Sequence, residues 1–237
     1  NVRSPGFENN DIALLTRTDY VYQNANVFKR WTKPTKWYRE AGWIAGAQQQ
    51  FNFDGDLTDR QYHTFGEMEW LNNWYANVFF IRRPATFDDR LTRGGPVVRK
   101  SGNYNVSGYA QTDQRKRVNF STNPSYGWSE AGTTGWYMNL YATYRPSSRL
   151  TLTAGPDYGK SASPYQYVYS VADPALTEFF GRRYVFGELD QRTVSMSTRL
   201  NVTFTPALTL EMVATPFIAS GRISKFQEFD ERRQEKR

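Results

Sequence analysis

Between residues 193 and 219 the chain alternates polar and apolar side chains and turns once, the pattern of a β-hairpin with one apolar and one wet face. Val194, Met196, Leu200, Val202 and Phe204 are apolar, and Ser195, Ser197, Arg199, Asn201 and Thr203 between them are polar. After Thr205-Pro206-Ala207 the pattern resumes with Leu208, Leu210, Met212, Ala214 and Ile218 on one side and Thr209, Glu211 and Thr215 on the other. Each run is about 10 residues long, close to the ~9–11 that a tilted transmembrane β-strand requires.

The same period of two recurs along the chain and predicts roughly ten strands in five hairpins. The first pair covers 19–31 and 37–53, with Trp37, Ala41, Trp43, Ala45, Ala47, Phe51 and Phe53 in phase. The second covers 62–71 and 74–81 and turns at Asn72-Asn73. The third joins 103–112 to 118–123, and the fourth sets Trp136, Met138, Leu140, Ala142 and Tyr144 against Tyr137, Asn139, Tyr141 and Thr143 before turning at Pro146-Ser147-Ser148. Short turns alternate with longer connections at 54–60, 84–101, 124–134 and 172–179, which is up-and-down topology with short turns at one end and long loops at the other.

These features predict an all-β, antiparallel, up-and-down transmembrane β-barrel. The whole of 1–237 reads as a single barrel domain that is part of a larger one, with further strands expected outside both ends, since an open sheet leaves two edges that hydrocarbon does not tolerate. The competing expectation is a soluble β-sandwich that binds or cleaves glycans. A sandwich core favours Val, Ile and Leu, whereas the apolar positions here are rich in Trp, Tyr, Phe, Ala and Met.

Composition sharpens the choice. Hydrophobic residues make up only 39% of the chain while aromatics reach 16%, and aromatics gather near strand ends, at Trp31, Trp37, Trp70, Trp74, Trp136 and Tyr144, where interfacial girdles sit. Mean hydropathy is −0.72, and no stretch approaches the ~18 apolar residues of a membrane helix. There is no cysteine and one histidine, His63, so thiol chemistry, disulfides and multi-histidine metal sites are excluded and His63 reads as a polar strand residue facing water. The net charge of +7 is scattered through turns and strands rather than gathered in a stripe, which argues against nucleic acid. The chain begins at Asn1 and reads as a processed form or an excised piece.

Three groups of residues invite chemistry. Glu67 and Glu69 share one face of a strand, but neighbours on one strand do not face each other across a sugar as glycosidase carboxylates do, so no catalysis is expected. Asp54, Asp56 and Asp59 cluster near Gly55 without the spacing or the terminal glutamate of a calcium loop, so a solvated turn is expected and no cofactor is implied. The loop carrying Arg90, Arg93, Gly94, Gly95, Arg99 and Lys100 is the principal binding candidate: it brings four cations to a glycine pair at a barrel mouth and suits an anionic small solute. By phase, Glu67, Glu69, Asn77, Asn139, Arg199, Asn201 and Glu211 are lumen candidates.

Ser4-Pro5-Gly6-Phe7-Glu8-Asn9-Asn10-Asp11-Ile12, Asn52-Phe53-Asp54-Gly55-Asp56, Arg93-Gly94-Gly95-Pro96, Gly181-Arg182-Arg183-Tyr184-Val185-Phe186 and Leu189-Asp190-Gln191, with the hairpin above through Pro216-Phe217, resemble the barrel part of a family of bacterial proteins. In that family a domain of unknown function follows a carbohydrate-binding, family-nine-like β-sandwich. The resemblance implies a Gram-negative outer-membrane location, a lipid bilayer as partner, and a pore, transporter or surface anchor linked to glycan binding or uptake. It also departs from the family pattern at 230–237, where further strands would be expected.

Overall fold

The computed structural model describes residues 1–7 and 17–228. The resemblance at Glu8 to Ile12 and the expected continuation beyond Asp230 lie outside these residues. Fifteen strands form: β1 (Val2–Arg3), β2 (Tyr20–Trp31), β3 (Tyr38–Phe51), β4 (Leu57–Trp70), β5 (Tyr75–Arg83), β6 (Thr86–Asp88), β7 (Val98–Lys100), β8 (Asn103–Gln111), β9 (Val118–Thr122), β10 (Ser125–Ser129), β11 (Thr134–Ser147), β12 (Leu150–Ala172), β13 (Arg182–Thr205), β14 (Leu208–Ala214) and β15 (Phe217–Glu228). Among the described residues one 3-10 turn, Thr177–Phe179, precedes β13. No described helix is long and apolar enough to cross a membrane, which says nothing of strands.

Thirteen strands make one antiparallel sheet, and β6–β7 form a separate ribbon. The main path follows chain order, β1-β2-β3-β4-β5-β8-β10-β11-β12-β13-β14, with β9 bonded to β8 and β11 and β15 to β13. Two stacked sheets, the arrangement a sandwich requires, are not what these residues form. Two prolines interrupt strands without diverting them. Pro124 separates β9 from β10 and Pro216 separates β14 from β15; each lacks a donor, yet each carbonyl still accepts from a neighbouring strand, from Gly108 N at 2.9 Å and Met196 N at 3.0 Å. Counting each interrupted pair once, the meander from β2 to β15 has the expected ten strands.

Three boundaries differ from expectation. The expected loop at 124–134 is largely β10, leaving a tight turn at 130–133. The expected loop at 54–60 is shortened because β4 begins at Leu57. Most of all, β12 and β13 run 23 and 24 residues, about twice the length of a tilted span, so this hairpin projects well past its neighbours at the long-loop end.

Register places opposite chemistry on the two faces. Val118, Tyr144, Leu152, Leu200 and Met212 lie in one row across five strands, while Asn119, Thr143, Thr153 and Arg199 form the adjacent row on the other face. The apolar face is the open one: Leu140 is 49% exposed and Phe120 47%, whereas Asn139 and Asp157 on the polar face are 9% and 8% exposed. The apolar face also has aromatic ends. Trp70 closes β4, and Trp136 and Tyr144 lie near the two ends of β11, eight residues apart, or ~27 Å of strand at ~3.4 Å per residue.

A conventional dry core occurs elsewhere. At the long-loop end Phe179, Tyr184 and Phe186 are buried together, with Leu91, Tyr165, Tyr167 and Leu176 packed against them.

Candidate functional site

The polar face is where the described residues assemble chemistry. Tyr137 donates to Asp157 Oδ1 at 2.6 Å, Tyr141 donates to the same oxygen, Ser195 donates to Asp157 Oδ2 at 3.3 Å, and Asn139 Nδ2 donates to Tyr137 Oη at 3.2 Å. A second cluster repeats the design: Tyr75 donates to Glu67 Oε2 at 2.8 Å, and Asn77 Nδ2 donates to Tyr75 Oη at 3.1 Å. Both arise from the same short phrase, Trp74-Tyr75-Ala76-Asn77 and Trp136-Tyr137-Met138-Asn139. Alternation sends each Tyr and Asn to the polar face, where the Asn sits opposite the carboxylate of the adjoining strand. The repeat was visible in the sequence as a signal for these clusters.

Above the Tyr137 cluster lies a cavity of about 830 Å³. Gly127, Gly135 and Gly159 form its floor, joined by Ser125, Ser161 and Thr193 on the same face. With no side chain at three adjoining floor positions, the sheet is locally hollowed: a Cβ on Gly135 would meet nothing closer than 3.9 Å. Arg83, Asn103, Asn105 and Gln191 stand around the floor; Tyr165 and Phe186 come from the projecting hairpin; Asp88, Leu91, Arg99 and Lys100 come from the β6–β7 loop. The floor residues are what the sequence reading missed, because small polar residues in a polar phase give no hydrophobic signal.

The β6–β7 loop is folded, not a loose tether. Asp88 Oδ1 accepts from the amides of Arg90 and Leu91, both at 2.9 Å, and Thr92 Oγ1 donates to the Pro96 carbonyl at 2.9 Å. Arg17 holds Asp89 through both guanidinium nitrogens, at 3.0 and 2.6 Å. Thr92, Pro96 and Val98 are fully buried. Gly95 lies so close to the Tyr184 ring that any Cβ would collide with it, and Gly94 takes the left-handed φ of 95°. Arg93 stacks over Tyr167, 4.9 Å from its centroid. Of the six loop candidates, then, Arg99 and Lys100 line the cavity, while Arg93, Gly94 and Gly95 shape and anchor the loop and Arg90 is held at its turn.

The other sequence candidates fall away from the cavity. Glu69 pairs with Arg39 at 3.5 Å, while Glu67 belongs to the Tyr75 cluster. Arg199, Asn201 and Glu211 share the polar face toward the β14 edge, with Asn201 opposite Glu211. Asn52 Oδ1 accepts from the Asp56 amide at 2.7 Å, closing a self-bonded turn around Asp54 and Gly55. Asp59 lies instead on β4 and accepts from Gln48 at 3.2 Å. Among the described residues no three acidic or histidine side chains are grouped to hold a metal ion. His63 bonds Asn26 at 2.9 Å across Gly46, where a Cβ would block the approach, and its ring meets Phe79 edge-on at 5.9 Å.

A family model described as "Domain of unknown function (DUF5916)" matches residues 1–235. The chain belongs to this family. Nothing matches among curated proteins or solved structures.

Proposed function

We propose that this DUF5916 sheet is wall of a bacterial outer-membrane β-barrel, with its apolar face against lipid and its polar face lining a water-filled interior. The β6–β7 loop folds over that interior as a constriction, and the barrel serves as a pore or transporter for a small solute. One observation carries the reading: the sheet buries Asn139, Thr143 and Asp157 and leaves Met138, Leu140 and Phe120 open, the reverse of what water favours. A soluble chain with such a continuous apolar face has every reason to aggregate; in hydrocarbon the same face is at home. The aromatic ends of β11 support this reading, since ~27 Å of strand tilted ~35–45° covers about 20 Å of an apolar band ~25 Å tall.

Residues 1–237 hold no cysteine, so a cysteine introduced there, with any outside this stretch changed to serine, gives a direct test. In native membranes of cells expressing the full-length protein, Ser161→Cys on the polar face should react with a water-soluble maleimide. Leu140→Cys on the apolar face should react only after denaturation. Equal labelling of the two before denaturation would remove the membrane reading, as would a protein that remains soluble without detergent.

A further inference from the structure

We infer that the cavity beneath the β6–β7 loop binds a short acidic saccharide, a sugar chain carrying carboxylates. The inference rests on the polar face being water-filled, and it names what that space is built to hold.

Charge comes first. Two acids line the cavity and both are engaged: Asp88 caps the loop turn, and Glu228 accepts from Arg183 at 3.4 Å. The cations Arg99 and Lys100 line the same space and make no ion pair among the described residues. Positive charge is therefore left over where a solute would sit, and a carboxylate suits the planar fork of an arginine.

Size and neutral chemistry then exclude a simple inorganic anion as the natural occupant. A volume of about 830 Å³ lies within the ~300–1,000 Å³ of small-molecule sites and is far larger than one phosphate fills. Asn103 and Gln191 line the cavity with side-chain amides that have no hydrogen bond among the described residues, so each offers both a donor and an acceptor. Hydroxyl groups, which donate and accept, answer that pairing better than a wholly apolar solute. The ring of Tyr165, only partly buried, adds apolar wall against which the C–H face of a sugar ring can lie.

Calorimetric titration of the detergent-solubilised full-length protein with digalacturonate, neutral lactose and inorganic phosphate tests the inference. Digalacturonate should bind saturably and about tenfold or more tighter than either of the others. An Arg99→Ala/Lys100→Ala double variant should lose at least about tenfold of that affinity, and Gly135→Phe, which fills the hollow floor, should abolish it. No saturable digalacturonate binding, equal binding of lactose, phosphate binding as tight as digalacturonate, or indifference to both variants would each overturn it. The maleimide pattern on the same protein separates the two ideas. Normal labelling without digalacturonate binding defeats the ligand alone, whereas binding with equal labelling of Ser161→Cys and Leu140→Cys defeats the membrane wall.

Discussion

On β11, Asn139 and Thr143 are buried while Leu140 between them stands open; on β13, Tyr184, Val185, Phe186 and Gly187 are buried one after another. The first pattern belongs to a single sheet whose two faces meet different media, and alternation there is strict because each residue has one destination. The second belongs to a place where residues of both phases are buried, Tyr184 and Phe186 against the β6–β7 loop and the 3-10 turn, so alternation has nothing to report. One chain thus folds by two rules. The wall leaves its apolar face open, as the proposed membrane setting requires, and the cap at the long-loop end buries its apolar residues as water favours.

The contrast breaks first at the cap. Phe186 is 3% exposed and meets Tyr167 edge-to-face at 5.8 Å, so Phe186→Ala should cost ~3–5 kcal/mol as a large-to-small change in a dry cluster. Because the cluster clamps the β6–β7 loop and not the wall, the loss should appear as rapid protease cleavage within 84–101 while the sheet stays folded. Simultaneous melting of sheet and loop would show that the two regions are one cooperative unit.

The wall gives the next largest effect and the opposite sign of reasoning. In a water-soluble protein, replacing an exposed leucine by arginine changes stability by no more than ~0.5 kcal/mol. In the middle of a lipid-facing strand the same change costs ~2–4 kcal/mol. Leu140→Arg should therefore lower the folding free energy, measured by urea titration of refolding into vesicles, by that amount, and a stability unchanged or improved would place the face in water.

How much of this was legible follows the same division. The ten strands, the proline turn at 206 and the aromatic ends of β11 were written in period two, because each wall residue has one destination. The outer half of the long hairpin was not read, though Tyr165, Tyr167, Tyr169 and Val171 alternate with Gln166, Val168 and Ser170; Gly155, Pro156, Gly159 and Pro164 within β12 disguise it as loop. The basic loop was found as a candidate by its charge, but its glycine pair signalled freedom where the structure shows close packing against Tyr184. The cavity floor was invisible for a simple reason. Its defining feature is missing side chains at 127, 135 and 159, and a hollow depends on which strands lie side by side, which no single strand encodes.

The smallest effect separates the cap from the wall by pH. Asp173 accepts from Arg183 Nε at 2.6 Å and from the Ala175 amide at 3.1 Å, and the arginine, with help from that amide, holds its carboxyl below the usual carboxylate range. A lowered folded value means that the Asp173 contribution is complete above the unfolded carboxylate pKa of ~3.9 and is lost as pH falls through the folded value. Exchange protection of the Gly181 and Phe179 amides, both bonded within this turn, should then be constant from pH 7 to about 5 and decline below about 4. Asp173→Asn should show the reduced protection at pH 7 already and converge with the unaltered protein at low pH, while the β3–β4 amides of the wall respond to neither change. The group is exposed to solvent, so a few-fold difference in exchange is the expected scale. A constant gap between variant and unaltered protein down to pH 2.5 would mean that the arginine pair does not hold the turn, and that the cap rests on Phe179 and its apolar neighbours alone.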